Sequence, residues 1–143
     1  MASIIYFILG IVIIILCFNI NAFLGIAAAV VIIGLMWYNS LPNFYAYRGN
    51  AEYHKGNLPG AVKWYKKAVD THRAKISVSG VYGSLLLRNG QIEEALAHMN
   101  RLLSMKLTPN DRNSLKQTRC MIYAKMGNID EALEDAEEMF EDG

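Results

Sequence analysis

Residues 2–38 form an almost unbroken apolar run in which only Ser3, Asn19 and Asn21 carry clearly polar side chains. As a single helix the run would measure ~55 Å at ~1.5 Å per residue, far more than the ~30 Å hydrocarbon core of a bilayer. Asn19-Ile20-Asn21 interrupts it near the middle. The pattern therefore predicts two spans, about 2–18 and 22–38, folded as a tight hairpin. Tyr6 and Phe7 near the start of the first span, and Trp37 and Tyr38 closing the second, then share one side of the membrane, where amphipathic rings favour the interface. Ala22, Gly25, Ala29 and Gly34 are small enough to let the helices approach closely, although such residues are common in membrane helices anyway.

Charge changes abruptly after this run. All 14 Lys/Arg and all 13 Asp/Glu lie at or beyond Arg48. The chain thus divides into a hairpin anchor over 1–40 and a water-facing domain over 41–143. Within the latter, residues 48–75 hold seven basic and two acidic side chains (+5), residues 76–126 seven and three (+4), and residues 127–143 none and eight (−8). The basic excess close behind the second span, at Arg48, Lys55, Lys63, Lys66 and Lys67, places that domain and the N-terminus in the cytoplasm by the positive-inside tendency. A cleaved signal peptide would need a basic start and a much shorter apolar core. Transport is disfavoured because the spans contain no ionisable group. Cys17 and Cys120 set no disulfide framework and suit a reducing compartment.

Beyond the anchor the strongest signal is a repeat. Gly56-Asn57-Leu58-Pro59-Gly60-Ala61-Val62, Gly90-Gln91-Ile92-Glu93-Glu94-Ala95-Leu96 and Gly127-Asn128-Ile129-Asp130-Glu131-Ala132-Leu133 share one pattern: Gly, polar, apolar, two variable positions, Ala, apolar. The glycines stand 34 and then 37 residues apart, a period that signals stacked supersecondary units. Gly56, Gly90 and Gly127 suit the left-handed end of a helix. Ala61, Ala95 and Ala132 suit close packing of the helix that follows. Seven residues before each turn glycine stands another small residue, Gly49, Gly83 or Cys120, two helical turns back. Cys120 reads as a buried packing residue.

These residues resemble the tetratricopeptide repeat, a 34-residue helix–turn–helix unit, over about 42–143. Gly49, Gly56, Ala61, Tyr65 and Ala68 carry the likeness in the first unit, Tyr82, Gly83, Gly90 and Ala95 in the second, and Tyr123, Gly127 and Ala132 in the third. The opening aromatic is Tyr45 in the first unit but Ser79 and Lys116 later, and a closing proline follows only the second unit, as Pro109. The resemblance implies an all-α chain whose soluble part is a three-repeat α-solenoid, with repeats at about 42–75, 76–109 and 113–143. The longer second interval is assigned to the Thr108–Asp111 connection, where Asn110 or Asp111 can cap the next helix.

The resemblance also implies a concave groove lined by first helices, with candidates Asn50, Tyr53, His54, Ser84, Leu87, Arg88, Met121 and Lys125. His54, Arg88 and Lys125 stand two residues before each turn glycine, a row of donors that favours an acidic peptide, or simply complements helix dipoles. A family clamp for C-terminal carboxylates is not expected, since Ala46 and Val81 replace its lysine and asparagine. A second candidate is the acidic last helix, whose Leu133, Met139 and Phe140 are left partly uncovered without a capping element. Glu134 and Glu138 lie on it as a like-charged pair, inviting a basic, apolar partner surface. Lys63, Lys66 and Lys67 are placed to face anionic membrane lipid, or plain solvent.

Catalytic, metal and cofactor signatures are not expected. His54, His72 and His98 lack ligand spacing, and no phosphate loop or nucleophile motif occurs. Nucleic-acid binding lacks a dense basic patch with interleaved aromatics. The sequence thus points to a membrane-anchored, non-enzymatic scaffold or adaptor that recruits a protein partner, in a bacterial cell membrane, with homo-oligomerisation open. The alternative is a structural or assembly subunit of a larger membrane complex, docked through its spans.

Overall fold

The structure, a computed structural model, describes residues 8–16 and 21–141, with side chains as far as Met139. Among the described residues all regular structure is helical: α1 over 8–16, α2 (Ala22–His54), α3 (Leu58–Val69), α4 (Ile76–Arg88), α5 (Ile92–Leu103), α6 (Pro109–Met126) and α7 (Ile129–Glu141). Two compact units divide the chain, Met1–Leu41 and Pro42–Gly143.

In the first unit Asn21 starts α2. Its side-chain Oδ1 accepts from Phe23 N–H at 2.9 Å, and its carbonyl accepts from Gly25 N–H at 3.1 Å. This cap is the physical basis of the sequence break. Among the described residues α2 is the one helix long and apolar enough to cross a membrane, and only 6% of its apolar window is buried. Gly25, Ala28, Ala29 and Ile32, at helical spacing on one face, are more covered than their neighbours, as are Gly10 and Ile14 of α1. A Cβ on Gly10 would lie 3.7 Å from Ile32 Cγ2. Of the four small residues expected at close approach, Gly25 and Ala29 lie on this face, whereas Ala22 and Gly34 are exposed and Gly34 faces open space. The first expected span is described only over 8–16, ~14 Å of helix. Tyr6, Phe7, Cys17 and Asn19 lie outside the described residues.

The second unit alternates helices and tight turns. Gly56, Gly90 and Gly127 adopt φ of 77°, 81° and 83°, the left-handed region that costs glycine nothing sterically. Asn57 N–H, Gln91 N–H and Asn128 N–H reach back to Glu52, Leu86 and Tyr123 carbonyls, so each turn closes the helix before it. Ala61 and Ala95 are fully buried and Ala132 nearly so. A Cβ on Gly49 would stand 2.4 Å from Tyr65 Cδ2, and one on Gly83 1.8 Å from Met99 Cε. The large partner follows the glycine by sixteen residues in both units. The corresponding third-unit pair is Cys120 and Ala136, with the bulk moved to the first helix. Cys120 is accordingly half-exposed rather than buried.

Leu86, Met99 and Ile122 centre one continuous apolar cluster, each worth ~2–3 kcal/mol of burial. Helices α3 to α7 each pack on the next, and α4 also meets α6. One boundary differs from expectation. Thr108, not Asn110 or Asp111, caps α6, its Oγ1 accepting from Asp111 N–H at 3.2 Å, and Pro109 fills the first turn. Proline fits there because its missing N–H has no intrahelical partner to lose. The extra residues of the second interval lengthen α6 to 18 residues against 13 in α4, rather than the connection.

Candidate functional site

Two surfaces of the second unit bring chemistry together. The first is a cleft of about 210 Å³ lined by Asn50, Tyr53, Tyr65, Val81, Ser84, Leu85 and Arg88. The period of 34 brings the last turns of α2 and α4 side by side, so four expected groove residues, Asn50, Tyr53, Ser84 and Arg88, meet here. Tyr65 donates its hydroxyl to Asn50 Oδ1 at 2.8 Å, a bond that does not use the donors of the Asn50 amide nitrogen. Arg88 donates to the Tyr53 hydroxyl, and its guanidinium carbon lies 5.8 Å from the Tyr53 ring centroid. Tyr53 is 38% and Val81 42% exposed. The cleft thus offers an apolar wall beside donors with a positive charge. Ser84 Oγ is directed to the Gly80 carbonyl at 3.2 Å.

The remaining groove candidates stand apart from the cleft. His54 is exposed, its ring edge-on to Tyr53 at 6.1 Å. Met121 and Lys125 are exposed on α6. Leu87 is buried in the apolar cluster and presents no binding surface. On α7, Leu133 is 55% exposed, as is Ile129 one turn earlier. Glu134 is exposed and Met139 half-buried, while the Phe140 side chain lies outside the described residues. Glu138 pairs with Lys116 at 2.5 Å, and this hydrogen bond holds its carboxyl below the usual range.

The second surface is a quartet of positions repeated in all three helix pairs, which sequence reasoning missed. Two positions lie three apart on the first helix of a pair and two lie three apart on the second. In the third pair they are Lys116, Arg119, Asp135 and Glu138. Arg119 grips Asp135 through Nε–Oδ2 at 2.8 Å and Nη2–Oδ1 at 2.5 Å. In the second pair they are Ser79, Tyr82, His98 and Arg101. The His98 ring meets Tyr82 edge-on at 5.0 Å, with Nε2 2.9 Å from the Ser79 carbonyl and Nδ1 2.9 Å from Arg101 Nη2. In the first pair they are Tyr45, Arg48, Trp64 and Lys67. Tyr45 stacks on Trp64 at 6.0 Å, while Arg48 and Lys67 lie 5.3 and 4.5 Å from the indole centroid. Shifting the sequence by 34 and then 37 residues aligns these positions. Their chemistry differs at each step, which hides them from a search for conserved motifs.

No protein-family model matches this chain, and no curated relative is found for it.

Proposed function

We propose that the protein is a membrane-anchored, non-catalytic adaptor, in which a two-span hairpin holds a three-repeat tetratricopeptide-like solenoid at the cytoplasmic face of a bacterial membrane. One observation carries the docking role: an apolar wall, Tyr53 and Val81, stands exposed beside the Arg88 guanidinium and the Asn50 amide. Exposed aromatic surface beside an arginine is the composition that dominates protein-binding hot spots. The donor character suits a peptide segment that presents an apolar side chain next to a carboxylate. The half-exposed α7 edge, Ile129 and Leu133, supports a second contact with the same or another protein partner.

A photo-activatable residue at Val81 in cells, with Arg88→Glu as the paired variant, tests this reading. We expect a discrete cross-linked product that Arg88→Glu abolishes. It should survive when residues 1–40 are replaced by an unrelated two-span anchor. A product that persists with Arg88→Glu would discard the cleft. Loss on the anchor swap alone would favour the alternative, a subunit docked through its membrane helices.

A further inference from the structure

We infer that Arg48 and Lys67, set on the Trp64 indole, form a binding site for the phosphate of an anionic lipid headgroup. The inference rests on the reading of α2 as a membrane span. The three equivalent quartets differ most in charge. In the third pair two cations meet two carboxylates, and the set is neutral. In the second, Arg101 stands against an imidazole and a phenol. In the first, two cations converge on one aromatic ring and the quartet holds no carboxylate. Among the described residues neither Arg48 nor Lys67 forms an ion pair. Glu52, one turn from Arg48, feels its charge but accepts its hydrogen bonds from Lys55 at 2.9 Å and Asn57 at 2.7 Å. These bonds keep its carboxyl below the usual range.

Of the three equivalent positions only the third carries its own carboxylates, and only the first sets two cations on one ring. Two cations within about 6 Å of one ring repel each other, and the ring quadrupole offsets only part of that. An anion between them relieves the rest. Phosphate suits the fork of an arginine beside the point charge of a lysine. The lipid source follows from chain connectivity. Arg48 is ten residues beyond Tyr38, the last aromatic of the apolar stretch. Even a fully extended link of that length spans at most ~35 Å, so anionic headgroups are held at high local concentration. Phe44, 45% exposed, lies 5.9 Å from Arg48 and adds an interfacial ring to the cationic pair.

The chain has two tryptophans, so Trp37→Phe leaves Trp64 as the sole indole reporter. The full-length variant is placed in nanodiscs of phosphatidylcholine alone or of phosphatidylcholine with phosphatidylglycerol. We expect a blue-shifted Trp64 emission and reduced acrylamide quenching only in the anionic discs. Both changes should vanish at high salt and with R48Q/K67Q, and persist with R48K. Identical spectra in the two discs would overturn the site while leaving the anchor intact. A response to inorganic phosphate in neutral discs would overturn the lipid assignment in favour of a soluble ligand. Failure to co-elute with either disc would remove the membrane reading and this site with it.

Discussion

His98 shows how one buried residue sets the pH range of the fold. Its Nε2 faces a carbonyl, which only accepts, and its Nδ1 faces a guanidinium, which only donates. Both contacts are satisfied only by the neutral ring with the proton on Nε2. Burial, reinforced by Arg101, pushes its pKa below the ordinary value of 6.5. Across the ring pair, burial and Glu94 push Tyr82 up from 10.0 to about 12. The signs give a plateau. Below pH 6.5 the unfolded chain takes a proton that folded His98 refuses, and stability falls as pH drops through its folded pKa. Above pH 10 the unfolded Tyr82 ionises while the folded phenol does not, so stability falls towards pH 12. Tyr65, also raised by burial, adds to the alkaline loss. Thermal unfolding of the micelle-solubilised chain should therefore peak between about pH 6.5 and 10. His98→Gln should flatten the first part of the acid limb and Tyr82→Phe should weaken the alkaline one. An unchanged acid limb in His98→Gln would show that the ring is not neutral by design. The turn glycines were legible from sequence because glycine alone meets a left-handed φ cheaply. His98 was not, because nothing in its spacing reveals that two donor-specific neighbours enclose it.

At the level of elements, α6 and α7 illustrate what charge counting along one helix leaves out. Glu134 and Glu138 look like a repelling pair on an isolated helix. In the fold, Asp135 and Glu138 point at Arg119 and Lys116, also three residues apart, on the helix before. Asp135 is 2% exposed. Hydrogen bonding to Asp135 raises the Arg119 pKa further above its ordinary value, and Arg119 Nη1 also donates to Asn100 Oδ1 at 2.9 Å. Arg119→Ala leaves Asp135 buried without its cation, at a cost of about 3 kcal/mol. We expect the amides of α7 to lose hydrogen-exchange protection before those of α4 and α5. Combining Arg119→Leu with Asp135→Leu should recover most of the stability, because the apolar pair carries no stranded charge. Equal protection of α7 in wild type and Arg119→Ala would mean that the ion pair contributes nothing. The helix pairs themselves were legible, since the Gly-to-Ala spacing fixes two packed helices. The start of α6 was not, because Pro109 reads equally well as the end of one unit or the first turn of the next.

At the scale of the whole molecule, one helix among the described residues, α2, is long and apolar enough to cross a membrane. The charge boundary at Arg48 was plain in the sequence. That α2 continues as one helix from Ala22 to His54, through Pro42, was not, because a change of solvent along a helix leaves no mark on its backbone pattern. Within the first unit the described parts of α1 and α2 touch. Gly10 lies beside Ile32, and Asn21 caps α2 about midway between them in sequence. A contact between residues equally far in sequence from Asn21 is what the proposed hairpin requires. The covered faces agree, with Gly10 and Ile14 on one segment and Gly25, Ala28, Ala29 and Ile32 on the other. Without a hydrophobic drive inside lipid, small residues at such a contact are what allow close packing. The proposed two-span hairpin predicts that the start of α2 and the repeats lie on opposite sides of the membrane. In a background lacking Cys17 and Cys120, Ala22→Cys should react with an impermeant maleimide added to intact cells. On the proposed orientation, with the basic excess behind Arg48 on the inner side, Lys125→Cys should react only after the membrane is opened. Labelling of both positions from the same side would reduce the anchor to a single crossing or none. The apolar stretch before Asn21 would then need another surface to cover it, and the docking of α1 in a partner protein would replace the hairpin as its explanation.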